Sequence, residues 1–257
     1  MYSVVIPSLG RVKYLNELIL SIFAQTVQPL EILILLDDNF HCRSIEHEIN
    51  LGELVKLVWC NHMNLAEKRN HGATLIQSDF LLFSDDDDIW DPLRAENVLA
   101  ALKFSHVCCH NFGKFGSLSE CSSSKLGIID LAVSTRHLFY GANVFGGGSA
   151  ISAKKGLVEF FPFSENYRYC EDFEWWLRVI SAGIKVSYLG KSLVYYRIHD
   201  SNMTNSIYKI TRYNFQLAII NLSKGLQILL IAVIILSRSL LRLPVSPVKN
   251  FLVKMRK

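Results

Sequence analysis

Acidic residues are missing from the last fifth of this sequence. All 23 aspartates and glutamates precede Ser201, whereas nine of the 27 lysines and arginines follow Asp200. Residues 1–200 therefore carry a formal charge of −5 and residues 201–257 one of +9, a division that the overall charge of +4 conceals. We expect the acidic body and the basic tail to have different partners.

Several other features are absent or scarce. The six cysteines lack the paired spacing of a metal site, no segment repeats, and the apolar run after Met1 lacks the basic residues of a signal peptide. With 14 glycines, six prolines and half of its residues hydrophobic, the sequence is neither collagen-like, nor disordered, nor a disulfide-rich miniprotein. We expect a sizeable globular core in a reducing, cytoplasmic compartment with free thiols.

Strand-like and helix-like patterns alternate along the first hundred residues. Continuous apolar runs predict buried strands, and apolar residues at a spacing of three or four predict helices. The predicted strands cover Tyr2 to Pro7, Glu31 to Leu36, Leu54 to Cys60 and Phe80 to Phe83, and the helices cover Leu15 to Ile22, Leu65 to Ile76 and a segment from Asp91 and Pro92, as N-cap and first turn, to about Phe104. This order predicts an α/β fold with a mostly parallel central sheet flanked by helices.

The second half of the sequence is less regular. Glu171 to Ala182 predicts a helix with an apolar stripe, which Gly183 ends. Two strands are predicted after it, at Ile184 to Leu189 and Ser192 to Ile198, and Gly146 to Ser149 is expected to form a flexible turn before it.

Acidic residues follow two of the predicted strands. Asp85 to Asp88 come directly after Phe80 to Phe83, and Asp37 and Asp38 follow Glu31 to Leu36. Either group alone could be a solvated turn, but parallel strands deliver their carboxyl ends to one edge, where ligands bind. Four adjacent carboxylates there favour a bound Mg²⁺ or Mn²⁺. An EF-hand is disfavoured because its central glycine and closing glutamate are missing.

An ordered set of motifs between residues 2 and 200 resembles family 2 glycosyltransferases of the GT-A nucleotide-diphospho-sugar transferase fold. Each motif is weak by itself, whereas their order and spacing together are specific. The motifs are Ser3 to Ser8, Gln25 with Thr26, Pro29 to Ile32, Asp37 with Asp38, Asn64 to Asn70, Asp85 to Pro92, Gly147 to Ala150, and Glu171 with Asp172 and Arg178.

The resemblance implies an inverting enzyme that moves a hexosyl or deoxyhexosyl group from a UDP-, dTDP- or GDP-linked sugar to an acceptor hydroxyl. It also implies a role for each matching residue. The nucleotide sugar would contact Pro7, Ser8, Asp38, Arg69, Asp85 and Asp86, the metal would contact Asp87, and the acceptor side would comprise Gly148, Ser149 and Glu171. Asp172 would be the catalytic base, with His199 near the metal and diphosphate and Arg178 on the same helix.

Two departures from the family pattern lie on the nucleotide side. Asn39 and Phe40 replace the usual Gly-Ser after the first acidic pair, and Leu9 and Gly10 replace the usual aromatic-Asn before Arg11. The identity of the nucleobase therefore stays open.

The basic tail, residues 206–257, is expected to follow a glycosyltransferase domain of residues 1–205. Its apolar run, Leu226 to Leu236, is shorter than the roughly 20 residues of a membrane-spanning helix. Cationic residues on one side of this helical tail favour a helix lying on an anionic membrane surface over a buried helix or a dimer contact. Nucleic-acid binding is disfavoured because the tail is mainly aliphatic.

These features together predict an enzyme peripheral to the inner face of the cell membrane. It would extend a glycan or lipid-linked acceptor of a bacterial surface polysaccharide, such as LPS, O-antigen or capsule. A sugar nucleotidyltransferase is one alternative, although Ser8 to Lys13 contains one glycine where that class has a glycine-rich loop. A catalytically inactive sugar-nucleotide-binding or scaffold protein is the other.

Overall fold

The strands of the described residues join into one sheet with helices packed against it. The computed structural model describes residues 1–49, 52–116, 131–133, 145, 147–200 and 202. The strands are β1 (Tyr2–Ser8), β2 (Glu31–Asp37), β3 (Val55–Cys60), β4 (Phe80–Phe83), β5 (Ile89–Trp90), β6 (Val107–Phe115), β7 (Leu131–Val133), β8 (Ser152–Lys154) and β9 (Val186–Arg197). The helices are α1 (Val12–Phe23), α2 (Phe40–Ser44), α3 (Leu65–Leu75), α4 (Arg94–Leu102), α5 (Lys155–Phe160) and α6 (Glu171–Ser181), with short 3₁₀ turns at Glu46–Glu48 and Gly148–Ala150.

The sheet has the order β3-β2-β1-β4-β8-β6-β9-β5, and β7 also pairs with β9. Its longer pairings, β1 with β2 and β4, β2 with β3, and β6 with β9, are parallel, whereas the shorter ones are antiparallel. The predicted α/β architecture with a mostly parallel sheet is confirmed.

Strand β1 sets the register of the parallel half. Val5 lies opposite Leu33 of β2 on one side and Phe83 of β4 on the other. The carboxyl ends of all three strands therefore reach the same edge of the sheet. The continuous apolar run of β2 is buried from Glu31 to Leu36, because helices or loops cover both of its faces.

Helix α6 has the predicted apolar stripe. Phe173, Trp176, Leu177 and Ile180 are all buried, as is the neighbouring Trp175. Both tryptophans therefore belong to the core, and neither is available to stack on a sugar. Three acidic residues occupy the first turn of α6, where the helix dipole favours negative charge.

Helix α4 begins later than the sequence predicts. Leu93, not Asp91, is its N-cap, and the helix ends at Leu102. Asp91 instead accepts a hydrogen bond from Leu93 N at 3.0 Å, and Gln25 Oε1 accepts one from Ala95 N at 2.9 Å. A side chain 70 residues away thus satisfies a first-turn donor that the apolar side chain of the N-cap residue Leu93 cannot satisfy.

A further prediction is wrong. The two strands expected between Ile184 and Ile198 form the single strand β9, because its pairing with β6 continues through register shifts on both sides of Asn111. Of the turn expected at Gly146 to Ser149, Gly148 and Ser149 are buried in a 3₁₀ turn and Gly147 is exposed, whereas Gly146 lies outside the described residues.

The basic tail lies outside the described residues. No helix within the described part of the chain is both long and apolar enough to cross a membrane. The interfacial helix around Leu226 to Leu236 and the boundary at residue 205 stay predictions.

Close packing of α3 on β1 makes Gly72→Ala destabilising. A Cβ at Gly72 would lie 2.4 Å from Val5 Cγ1, so we expect a cost of about 1–3 kcal/mol from overpacking. Gly156→Ala in α5 is the matched control, because nothing lies within 4 Å of its Cβ position. Thermal unfolding should show a lower Tm for Gly72→Ala and an unchanged or slightly higher Tm for Gly156→Ala. Equal Tm values for the two variants would contradict this packing.

Candidate active site

The carboxyl ends of β1, β2 and β4 are tied together by a buried lysine. Lys68 of α3 donates to the carbonyl oxygen of Ser8 at 2.8 Å and lies 2.8 Å from Asp37 Oδ1. The Ser8 hydroxyl in turn donates to Asp86 Oδ2 at 2.6 Å. The two acidic groups predicted to share one edge are therefore linked through Lys68 and Ser8.

Asp86 is buried and has partners on both carboxylate oxygens. Oδ2 accepts from Ser8 Oγ and from Leu9 N, and Oδ1 pairs with Arg11 Nη2. This carboxylate holds the loop after β1 against the loop after β4. Its predicted contact with the nucleotide sugar stays a prediction.

Asp87 lies between an arginine and a histidine. Its Oδ2 is 2.7 Å from Arg11 Nη1 and 2.9 Å from His199 Nε2. Burial, followed by repulsion from Asp85, raises the pKa of the Asp87 carboxyl above its ordinary value. The structure thus brings His199, which follows β9, to the carboxylate that the family pattern assigns to the metal.

Arg69 connects Asp85 to helix α6. Its Nη2 donates to Asp85 Oδ1 at 2.7 Å and its Nη1 to Glu171 Oε1 at 2.6 Å. The guanidinium passes directly over Gly148, where a Cβ would lie 2.0 Å from Nη2. Only glycine fits this position unless Arg69 moves. The predicted residues Arg69, Asp85, Gly148 and Glu171 are therefore in one contact network.

Asp172 lies in the first turn of α6, next to Glu171. Its Oδ1 accepts a hydrogen bond from Phe173 N at 2.7 Å. Burial and then the charge of Glu171 raise the pKa of the Asp172 carboxyl to about 7, against the opposing effect of Arg69. A carboxyl that titrates near neutrality is suited to accept a proton from a hydroxyl.

Arg94 links two backbone segments beside the acidic cluster. Its buried Nη2 donates to the carbonyl oxygens of Phe83 and Ser149, so it joins the end of β4 to the Gly148–Ala150 turn. The Ser149 hydroxyl accepts from Asp85 N at 2.7 Å across the same junction. Ser149 therefore acts on the backbone that carries the acidic cluster.

Two predicted residues have other partners. Both oxygens of Asp38 accept from the exposed Arg43, at 2.8 and 3.1 Å. Arg178 pairs with Glu174 one turn earlier on α6 and donates to the carbonyl oxygen of Pro162. Neither contact joins the network around Asp85 to Asp87, although Asp38 follows β2 at the same edge.

The chemistry of the donor set suits a divalent cation that binds together with phosphate. No three His, Cys, Asp or Glu side chains within the described ranges are arranged to hold a metal by themselves. However, Mg²⁺ usually takes one or two carboxylates plus substrate phosphate oxygens. Asp87 and the partly exposed Asp85 supply carboxylate oxygens of that kind, and His199 lies beside Asp87. The residues present therefore fit the group that the fold family implies.

Arg11, Lys68 and Arg94 take part in this edge although the sequence did not single them out. The available signal was their position: Lys68 precedes Arg69 within a matching motif, and Arg11 follows the first strand by three residues. Several of their partners lie 55 to 76 residues away along the chain, so the contacts could not be assigned from spacing. Arg11, for example, pairs with Asp86 across 75 positions.

Two curated relatives come from Haemophilus influenzae, and both are named "uncharacterized glycosyltransferase". One is 26% identical over 215 residues, which cover 80% of this chain and 71% of the relative. The other is 26% identical over 226 residues, which cover 81% of this chain and 68% of the relative.

Crystal structures of Staphylococcus aureus TarS residues 1–349 have a similar fold. One has a TM-score of 0.67 and 16% identity over 92% of this chain and 71% of TarS. A second, in complex with UDP-GlcNAc, has a TM-score of 0.65 and 17% identity over 85% of this chain. This chain covers 65% of the length of that second structure.

A family model covers the first part of the chain, including β1 to β4 and the acidic cluster. The model is that of glycosyl transferase family 2, and it matches residues 3–157, more than half of the sequence. The GT-A-like fold of the structural neighbours and the names of the curated relatives agree with it. The chain belongs to glycosyl transferase family 2.

Proposed function

We propose that this glycosyltransferase is a divalent-cation-dependent inverting enzyme that moves a sugar from a nucleoside diphosphate to an acceptor hydroxyl. The observation that carries the proposal is the convergence of two carboxylates on adjacent glycines. A Cβ on Gly147 would lie 3.9 Å from Asp172 Oδ2, and one on Gly148 would lie 3.0 Å from Asp85 Oδ1. A base candidate and a donor-side carboxylate thus lie beside two adjacent glycines.

Inversion needs a base and a leaving group on opposite sides of the reacting carbon. Asp172 is the proposed base, because its carboxyl pKa of about 7 lets it be ionised and still accept a proton near neutral pH. The acceptor hydroxyl would lose its proton to Asp172 as its oxygen forms the new glycosidic bond. The bond from the sugar to the diphosphate breaks, and the diphosphate leaves with that electron pair.

The acidic edge is the proposed site of the diphosphate. Asp87 and Asp85 would hold Mn²⁺ or Mg²⁺ there, with His199 beside them. The cation, when bound, would stabilise the negative charge of the departing diphosphate as a Lewis acid. Arg69 bonds to both Asp85 and Glu171, so it joins the proposed donor side to the proposed acceptor side.

The donor that we propose to test first is UDP-GlcNAc, because TarS was crystallised with it and with UDP. We further propose an acceptor in bacterial surface polysaccharide synthesis, either a glycan or a lipid-linked one. The basic tail would hold the enzyme to the anionic inner face of the cell membrane.

The assay for this function measures which phosphate product is released. With Mn²⁺ and a panel of UDP-, dTDP- and GDP-sugars, we expect a free nucleoside diphosphate from one donor and little turnover after chelation with EDTA. Release of pyrophosphate would instead identify a nucleotidyltransferase. No release from any donor, despite donor binding, would favour an inactive sugar-nucleotide-binding protein.

Asp172→Asn tests the base. We expect kcat to fall by about 10²- to 10⁴-fold, the usual contribution of a general base, with the KM for the donor changed only a few-fold. Glu159→Gln is the control, because Glu159 is an exposed carboxylate on α5 whose ion-pair partner is Lys155. Wild-type turnover in Asp172→Asn would show that another group takes the proton.

The pH dependence of kcat/KM tests the cause of the raised pKa of Asp172. The active form of Asp172 is ionised, so kcat/KM should fall as the pH drops below about 7. The negative charge of Glu171 raises this pKa, so Glu171→Gln should move the acidic limb of the profile to lower pH. Glu159→Gln should leave the limb in place. A limb that stays fixed or moves upward in Glu171→Gln would contradict the assignment.

A further inference from the structure

Arg11 bridges two carboxylates of the acidic cluster. It is the N-cap residue of α1 and follows Gly10, whose φ of +79° lies in the left-handed region. Its Nη2 pairs with Asp86 Oδ1, and its Nη1 lies 2.7 Å from Asp87 Oδ2. One positive charge thus serves two neighbouring negative charges at the proposed diphosphate site.

The two contacts of Arg11 are not equivalent. Asp86 is also held by Ser8 Oγ at 2.6 Å and by Leu9 N at 3.1 Å, so its position is fixed by the loop after β1. Asp87 Oδ2 is shared with His199 Nε2, which lies 2.9 Å from it and 3.0 Å from Arg11 Nη1. Arg11 can therefore lose its contact with Asp87 without disrupting the loop after β1.

Exposure separates Arg11 from Arg69 and Arg94. The Arg69 side chain is 2% exposed, and Arg94 is completely buried, so both are fixed parts of the core. Arg11 has 28% of its side chain exposed. It is the member of this trio with solvent into which its guanidinium can move.

A divalent cation on Asp87 would meet the Arg11 guanidinium at the same oxygen. Two cations that share one carboxylate repel each other, and near a protein surface this repulsion is weakly screened at contact distance. Arg11 thus compensates part of the negative charge of Asp86 and Asp87 from within the protein.

We propose that Arg11 is a built-in counter-cation of Asp86 and Asp87, and that a divalent cation displaces its contact with Asp87 while its contact with Asp86 persists. The inference rests on the cation-dependent function proposed above. It assigns to Arg11 competition with the metal, rather than support of the metal site. Removing the guanidinium should therefore strengthen metal binding instead of weakening it.

The first test measures Mn²⁺ binding alone, without nucleotide, by electron paramagnetic resonance at pH 8. We expect Arg11→Gln to bind Mn²⁺ about tenfold or more tightly than the wild type, because a repelling unit charge at contact distance is lost. Arg11→Lys, which keeps the charge, should stay closer to the wild type. Lys191→Gln is the control, because it removes one positive charge at an exposed position whose partner is Asn97.

Equal or weaker Mn²⁺ binding by Arg11→Gln would overturn the inference, as would the absence of Mn²⁺ binding in both proteins. Release of a nucleoside diphosphate in the transfer assay would in that case leave the proposed transfer reaction standing. The two proposals can therefore fail separately.

The second test uses the wild-type protein and does not depend on a variant that folds. Phenylglyoxal labels accessible arginines, and mass spectrometry locates the label. Saturating Mn²⁺ should raise the labelling of Arg11 several-fold, because its guanidinium leaves Asp87. Arg43, which pairs with the exposed Asp38, should be labelled equally with and without Mn²⁺. Unchanged or reduced labelling of Arg11 would overturn the displacement.

Discussion

Charge compensation at the end of β4 is the interaction on which the arrangement of this edge depends. Most of Asp85–Asp88 is buried, and an ionised carboxylate without a partner costs several kcal/mol in such a place. Arg11, which begins α1, and Arg69, in α3, pair with these carboxylates, whereas Arg94, in α4, donates to the carbonyl oxygens of Phe83 and Ser149 beside them. Each contact also holds a backbone segment in place, so electrostatics and geometry are inseparable here. Loss of Arg11 would remove the positive charge that is paired with the buried Asp86 and Asp87.

The absence of a side chain at Gly148 is as important as the side chains around it. Because Gly148 has no Cβ, Arg69 can cross it and reach Asp85 on one side and Glu171 on the other. This crossing links the acidic loop after β4 to the helix that carries Asp172. Burial and then the charge of Glu171 on the same helix raise the pKa of the Asp172 carboxyl. The bond-forming and bond-breaking sides of the proposed reaction are thus coupled through a single guanidinium.

Much of the fold could be predicted from local patterns. The bounds of β1, β2 and β4 agree with the apolar runs to within a residue, because burial on both faces of a strand is a local signal. The bounds of α3 also agree to within a residue, although its buried side includes Lys68 and Arg69 rather than forming an apolar stripe. The start of α4 could not be predicted, since Gln25 supplies a hydrogen-bond acceptor from a distant segment. That β9 is one strand, and not the two expected, likewise depends on its pairing along the whole length of β6.

One part of the candidate site could likewise be predicted from the sequence, and the other part depended on the tertiary structure. By itself the sequence determined which chemistry is available: carboxylates after β2 and β4, an acidic pair opening α6, and a basic tail without acids. These follow from residue type and order. Only the tertiary structure decided which carboxylates form hydrogen bonds or ion pairs with other side chains of the protein, and which side chains those are. Asp86 is hydrogen-bonded to Ser8 and paired with Arg11, because the parallel register of β1 and β4 places the ends of the two strands side by side. Contacts between residues 75 or more positions apart depend on strand pairing across the sheet, which no local pattern encodes.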